Sequence, residues 1–342
     1  MAQVKSAGNA EQEVQERQEG HAGNAGNAVQ EGNVRQEEHT RHGKQEGHEG
    51  RTTQAGERLA AKADELLIGN DLRVTRLGFG AMRLTGKGIW GEPEDRAEAI
   101  RVVRRAVELG VNFIDTADSY GPYVSEEIIA EALHPYPAGV VIATKAGYER
   151  TGPDRWVVNC RPERLTQACL GSLKRLRLER IDLFQLHRID PKVALEDQLG
   201  ALKDLQDAGK IKHIGLSEVS VPQIQLAQKI APIVSVQNQY SITDRGWEDV
   251  LQYCQKEKIA FIPWFPLAAG KLSGPRSAIR DVAKKLNATP SQVALAWLLA
   301  RSPVMLAIPG TSKLKHLEEN VAAAELKIDA KEMEQLRHAA HA

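Results

Sequence analysis

The stretch VNFIDTADSY, residues 111–120, decides the fold. Its first five residues form a short run, apolar but for Asn112, that ends in a carboxylate, Asp115, and the polar turn after it carries Tyr120. Gly110 bounds the run upstream, so VNFID reads as a strand rather than part of a helix. Residues 95–109 before it have helical periodicity, and SEEIIAEAL (125–133) after it reads as a second helix with Ser125 as N-cap. A short strand set between two amphipathic helices, without alternation, is the signature of a strand buried on both faces.

The same unit recurs in both directions. LGFG (77–80), VVIATK (140–145), IDLFQLH (181–187), IKHIGLS (211–217), IVSVQN (233–238), IAFIPW (259–264) and VMLAIP (304–309) are further short apolar runs. Helical patterns lie between them at 161–177, 194–208, 221–230, 245–257 and 290–301, with another at the C-terminus. Eight strands in alternation with helices predict an α/β fold, a (β/α)8 TIM barrel over residues 64–342. LLI (66–68), a Gly69-Asn70-Asp71 turn and LRV (72–74) predict an N-terminal β-hairpin ahead of it. A doubly wound sheet would bring a GxGxxG turn after its first strand. Here the sequence runs Gly78-Phe79-Gly80-Ala81-Met82-Arg83, without the third glycine.

Upstream of the barrel the composition changes. From Met1 to Arg58 there is no Leu, Ile, Phe, Tyr or Trp, and GNA and QEGH recur, so residues 1–60 are expected to be a disordered low-complexity tail. Its four histidines, His21, His39, His42 and His48, are read as solvated filler rather than a metal site. The whole chain has 45 basic and 45 acidic residues, a balance that argues against nucleic acid as a partner. No apolar run reaches membrane-span length and no N-terminal apolar stretch suggests a signal peptide. Cys160, Cys169 and Cys254 lack metal-site spacing and are read as packing residues or free thiols. The expectation is a cytoplasmic protein, a monomer or weak homo-oligomer, with no membrane partner and no metal.

Polar residues collect where the strands end: Asp115, Lys145, His187, Ser217, Gln237 and Trp264, with Tyr120 in the turn after Asp115. In a barrel those ends converge on one mouth, where active sites of this architecture are built. An ammonium beside a phenol is expected to lower the phenol's pKa, and a carboxylate would hold the ammonium in place. An imidazole in the same mouth can orient a carbonyl oxygen. Such a group protonates a developing alkoxide but supplies no electrons, which calls for a nicotinamide beside it.

At these residues the chain resembles the aldo-keto reductases, over about Leu66 to Ala324. GVNFIDTADSYG (110–121), IATK ending at Lys145 and DLFQLH ending at His187 carry the resemblance. It implies Tyr120 as general acid, Lys145 as modulator of its pKa, Asp115 as the lysine's partner and His187 as the substrate-orienting residue. It implies NADP(H) as cofactor. GLSEVS (215–220) places Ser217 and Glu218 where the family holds the nicotinamide carboxamide, with Glu218 departing from the usual Asn. Gln237 falls at a carboxamide-binding glutamine, and Trp264, with Pro266 and Leu267 following, at the aromatic that stacks on the nicotinamide. AIPGTSKLKHLEEN (307–320) resembles the adenosine-phosphate segment, with Gly310 and Thr311 at its start and Asn320 at the adenine. Lys313 and His316 are then expected near a ribose 2′-phosphate, which favours NADPH over NADH.

Met82, Trp90, Tyr148 and Trp156 fall in loops after the first and third strands and are expected to line the substrate pocket. The loop after the seventh strand, 268–277, is short and suits an open site for small or aromatic aldehydes. The layout resembles the bacterial branch that contains pyridoxal reductases, so a pyridoxal-type aldehyde is a candidate substrate. The alternative within the same family is a cofactor-sensing regulatory subunit resembling potassium-channel β-subunits. The tail carries no hydrophobic or basic anchor for such a role, which favours the enzyme.

Overall fold

The computed structural model describes residues 59–267 and 278–337. Residues 1–58 of the tail expected to be disordered and the short loop at 268–277 lie outside the described residues, whereas Leu59 and Ala60, the last two residues of that expected tail, open a 3-10 helix in which Ala60 is buried. The chain divides into two units, Met1–Ala55 and Gly56–Ala342, and the described residues all lie in the second.

A short 3-10 helix, Leu59–Ala63, precedes the antiparallel pair β1 (Glu65–Ile68) and β2 (Leu72–Thr75), joined through Gly69 and Asn70 in left-handed conformations. The repeating units then follow in order: β3 (Phe79–Gly80) and α1 (Arg96–Glu108), β4 (Phe113–Asp115) and α2 (Val124–Leu133), β5 (Val141–Ala146). After β5 comes an antiparallel hairpin, β6 (Tyr148–Gly152) and β7 (Arg155–Val158), and then α3 (Pro162–Leu176). The chain continues through β8 (Ile181–Leu186), α4 (Leu195–Asp207), β9 (Ile211–Ser217), α5 (Val221–Ala227), β10 (Ile233–Gln237), α6 (Glu248–Glu257) and β11 (Ala260–Phe261). The helices α7 (Ala278–Lys285), α8 (Pro290–Arg301), α9 (Leu314–Ala322) and α10 (Ala330–Arg337) complete it.

Seven parallel strands form one sheet in the order β3-β4-β5-β8-β9-β10-β11. The expected eighth strand, VMLAIP, is not a ladder of its own. It closes the ring by single parallel bridges, Met305 to Phe261 on one side and Ala307 to Leu77 on the other. Gly78 N donates to Ala307 O at 2.8 Å and Leu306 N to Phe261 O at 2.9 Å, so both edges of the sheet are satisfied there. The first strand is likewise shorter than LGFG, with Leu77 held only by its bridge. The (β/α)8 barrel is therefore present, with its narrowest seam at the first and last strands.

The hairpin plugs the end of the barrel opposite the strands' C-termini. Ile68, Leu72 and Val74 pack with the inward residues Phe113, Ala143, Leu183, Ile262, Leu306 and Ile308. Asn112 locks it by accepting from Thr75 N at 2.8 Å and donating to Arg73 O at 2.9 Å. One local expectation is corrected. Ser125 is not the N-cap of α2; the cap position is Tyr123, in a left-handed conformation, and Ser125 lies one residue inside the helix. Its buried hydroxyl donates to Ala81 O at 3.1 Å and meets Thr116 Oγ1 at 2.8 Å, so it ties two mouth loops together.

Candidate active site

Alternation along the strands sorts the site residues. Phe113, Ala143 and Leu183 point into the barrel, so the residues two further on, Asp115, Lys145 and Gln185, point the same way and form the next layer. Gln237 joins them from β10, and His187 stands two residues above Gln185. Gly215 makes this layer possible: a Cβ there would lie 2.2 Å from Ser235 Oγ and 2.9 Å from Gln185 Cγ.

Lys145 is fully buried, and its ammonium spends its three protons on three acceptors: Asp115 Oδ2 at 2.6 Å, Thr116 O at 2.7 Å and Tyr120 Oη at 3.4 Å. Burial would push Lys145 down, but Asp115 and Tyr120 beside it hold it above its ordinary value, so it is charged. Asp115 Oδ1 accepts from Gln237 Nε2 at 2.8 Å and from Gln185 Nε2 at 3.1 Å. Gln185 did not figure among the candidate residues. The signal for it was present: an amide in an apolar strand, two residues before a mouth histidine.

The direction expected for Tyr120 is corrected. Burial raises its pKa, and this outweighs the lowering by Lys145, which Asp115 in turn opposes. The phenol is therefore protonated at neutral pH. His187 lies edge-on to it, ring centroids 6.0 Å apart, with Nδ1 3.4 Å from Ser119 Oγ. Burial, then Lys145, Arg188 and Arg150, hold the imidazole well below its ordinary pKa, so it is neutral. A neutral phenol backed by a fixed ammonium, beside a neutral imidazole, can donate a proton to an oxygen placed between them.

Around this centre, Tyr148 and Trp156 lie in the connection after the third barrel strand, which forms the β6–β7 hairpin. Tyr148 meets His187 at 4.8 Å and Trp156 at 5.3 Å between centroids. Arg150, between them in sequence, stacks on Trp156 at 3.7 Å and lies 5.7 Å from the Trp90 ring centroid. It donates to the carbonyls of Ile89, Ser119, Gly88, Gly152 and Arg155, and so clasps three mouth segments. Met82 sits on the 3-10 turn Ala81–Leu84 that follows β3.

Ser217 is buried at the end of β9, and its hydroxyl accepts from Arg188 Nη1 at 3.1 Å. Glu218 adopts a left-handed φ of 54° and its Oε1 accepts from Trp264 Nε1 and from Gln239 N, both at 2.6 Å. The carboxylate thus fixes the indole. Gln237 turns its NH2 toward Asp115 and Gln185, which leaves its oxygen as an acceptor. Pro266 is buried and Leu267 packs against the main core. Gly80 and Gly310 touch backbone to backbone; a Cβ on Gly310 would lie 2.5 Å from Gly80 O.

Thr311 is buried and its Oγ1 accepts from Lys313 N at 3.1 Å. Lys313 is the N-cap residue of α9, exposed, with its ammonium 2.9 Å from Glu98 Oε2. His316 is exposed on the first turn of α9, and Asn320 is buried on its inner face. All three cysteines are buried, and burial pushes each thiol up to about 12, so none is a nucleophile.

The Aldo/keto reductase family model matches residues 76–341. An uncharacterised oxidoreductase of Schizosaccharomyces pombe is 51% identical over 271 residues, 79% of this chain and 88% of the relative. Pyridoxine 4-dehydrogenase of Escherichia coli is 45% identical over 259 residues, 74% of this chain and 90% of that protein. Among solved structures, an aldo-keto reductase from Klebsiella pneumoniae in complex with NADPH superposes with a TM-score of 0.70. It is 26% identical and covers 81% of this chain and 95% of its own. The chain belongs to the aldo/keto reductase family of NAD(P)H-dependent oxidoreductases.

Proposed function

We propose that this chain reduces an aldehyde or ketone to an alcohol at the expense of NADPH, with Tyr120 as the proton donor. The observation that supports it most is the buried Lys145 ammonium, tied to Asp115 on one side and Tyr120 on the other. A carbonyl oxygen set between Tyr120 Oη and His187 takes its proton from the phenol as negative charge develops on it. In the tautomer whose Nδ1 accepts from Ser119 Oγ, His187 carries its proton on Nε2 and orients that oxygen. Lys145 stabilises the phenolate left behind, and Asp115 keeps Lys145 charged and in place. Tyr148 and Trp156 form the apolar wall that keeps water from the reacting carbon.

The residues fit a nicotinamide dinucleotide. The Trp264 ring is held at its edge by Glu218 and presents a fixed face to a flat heterocycle. The Ser217 hydroxyl and the Gln237 oxygen, which has no donor among the described residues, suit a carboxamide, whereas Glu218 is spent on Trp264 and Gln239. Lys313, at the start of α9, suits a 2′-phosphate, with Asn320 toward the adenine. When bound, the nicotinamide supplies the hydride that the protein's own side chains lack. Pyridoxal is the first aldehyde to test, because pyridoxine 4-dehydrogenase is among the relatives.

NADPH oxidation, followed by absorbance with a panel of aldehydes and ketones that includes pyridoxal, tests this reading. Turnover with several aldehydes is expected, with NADPH preferred to NADH. Lys313→Ala should weaken NADPH several-fold and leave NADH unchanged. Glu98→Gln, which frees Lys313 from its ion pair, should tighten NADPH. No turnover with any carbonyl compound would overturn the proposal, and equal weakening toward both cofactors would remove Lys313 from the 2′-phosphate.

A further inference from the structure

Arg188 is a half-buried cation at the barrel mouth, immediately after His187. Its Nη1 donates to His187 O at 2.6 Å and to Ser217 Oγ at 3.1 Å. Its guanidinium lies 5.4 Å from the Tyr148 ring centroid, on the ring that also packs against His187. The cation is thus held in the wall that faces the proposed proton donor. Its hydrogen bonds all leave from Nη1, so the edge formed by Nε and Nη2 has no protein acceptor among the described residues. That planar edge matches a carboxylate or phosphate in bidentate fashion.

The neighbouring charges do not neutralise it. Lys145 is paired with Asp115, and Arg164 with Asp118. Arg150 donates only to main-chain carbonyls. Glu218, the carboxylate that follows Ser217, turns its Oε1 to Trp264 and Gln239. No carboxylate lies within ion-pair distance of Arg188 among the described residues, so the mouth carries positive charge beside a neutral imidazole. A partly desolvated cation without a counter-ion is costly, and an incoming anion removes that cost.

We propose that Arg188 is the anion subsite of the substrate mouth, and that the preferred carbonyl substrates carry a carboxylate or phosphate on the side facing Tyr148. This rests on the carbonyl-reductase reading above.

The test compares matched pairs, para-carboxybenzaldehyde against its methyl ester and succinate semialdehyde against butanal, with NADPH saturating. The acid of each pair should have the higher kcat/KM, mainly through KM, by about 10- to 100-fold for one charge-assisted contact. In Arg188→Gln that ratio should fall toward one, and Arg188→Lys should restore part of it. Added salt should raise KM for the acids and leave that of the neutral partners unchanged, a readout that needs no variant. Equal loss on both members of a pair in Arg188→Gln would mean a purely structural role and overturn the subsite. So would an unchanged ratio with weakened NADPH binding, which would assign the edge to the cofactor's phosphates. If the wild type reduces acids and neutral aldehydes equally well, the subsite fails and the reductase reading stands. If it reduces neither, both fail.

Discussion

At Tyr120 two effects of opposite sign meet. Burial disfavours the phenolate, and the nearby ammonium favours it; burial is the larger effect, and Asp115 opposes Lys145. The sequence showed which charges converge, since each ends a strand, but not how dry their meeting place is. Desolvation is a property of the closed barrel. The pH dependence follows with a definite sign. The proposed carbonyl reduction uses the protonated phenol and a neutral His187, so its rate should be level through the neutral range, without an inflection at the ordinary histidine pKa. Alcohol oxidation needs the phenolate, so its rate should climb with pH. Lys145→Met removes the cation bonded to the phenol, so that climb should move to still higher pH. The variant also leaves Asp115 buried with amide donors alone, at a cost of roughly 3–5 kcal/mol in stability. An oxidation profile that does not move in Lys145→Met would show that the two groups are not coupled.

Strand alternation carried most of the site at the level of elements, and it would have carried Gln185 as well. The β6–β7 hairpin was less legible. Its sequence, YERTGPDRWVV (148–158), has a turn signal at Gly152-Pro153-Asp154 but charged residues on its strands, because only one face packs and no barrel neighbour pairs with it. Arg150 holds this hairpin to the mouth. Its contacts are five main-chain carbonyls scattered over three segments, so no sequence pattern announces them. Arg150→Ala should release Trp90 and Trp156 and free the Ser119 carbonyl. The expected result is a raised KM for aromatic aldehydes with a smaller change in kcat, measured beside an aliphatic aldehyde as control. A fall in kcat alone, with KM unchanged, would contradict the clasp.

The barrel closes through VMLAIP, which makes single bridges instead of a ladder. All eight apolar runs were legible in the sequence; how little ladder the first and last of them make was not, because that depends on how the ring closes. Arg76 reinforces that seam. It is buried and donates to the carbonyls of Met305, Leu299 and Ser302, and so binds the segment before β3 to the end of α8 and the closing segment. Arg76→Met keeps the apolar stem and removes all three donors. Stranding up to three buried carbonyls at about 1–3 kcal/mol each is a large fraction of a domain's stability. The midpoint of urea unfolding should drop sharply. An unchanged midpoint would mean that the barrel is closed by the backbone bridges alone.

The proposed chemistry turns on the phenol of Tyr120. Tyr120→Phe keeps the ring, its packing against His187 and the cofactor-binding residues, and removes the hydroxyl that carries the proton and meets Lys145. The decisive measurement is kcat/KM for NADPH-dependent aldehyde reduction in this variant, with NADPH affinity determined in parallel. The predicted result is a loss of about 10²- to 10⁴-fold with NADPH binding nearly intact. Retention of half the wild-type rate or more would place the proton donor elsewhere and contradict the role proposed for the Asp115–Lys145–Tyr120 chain.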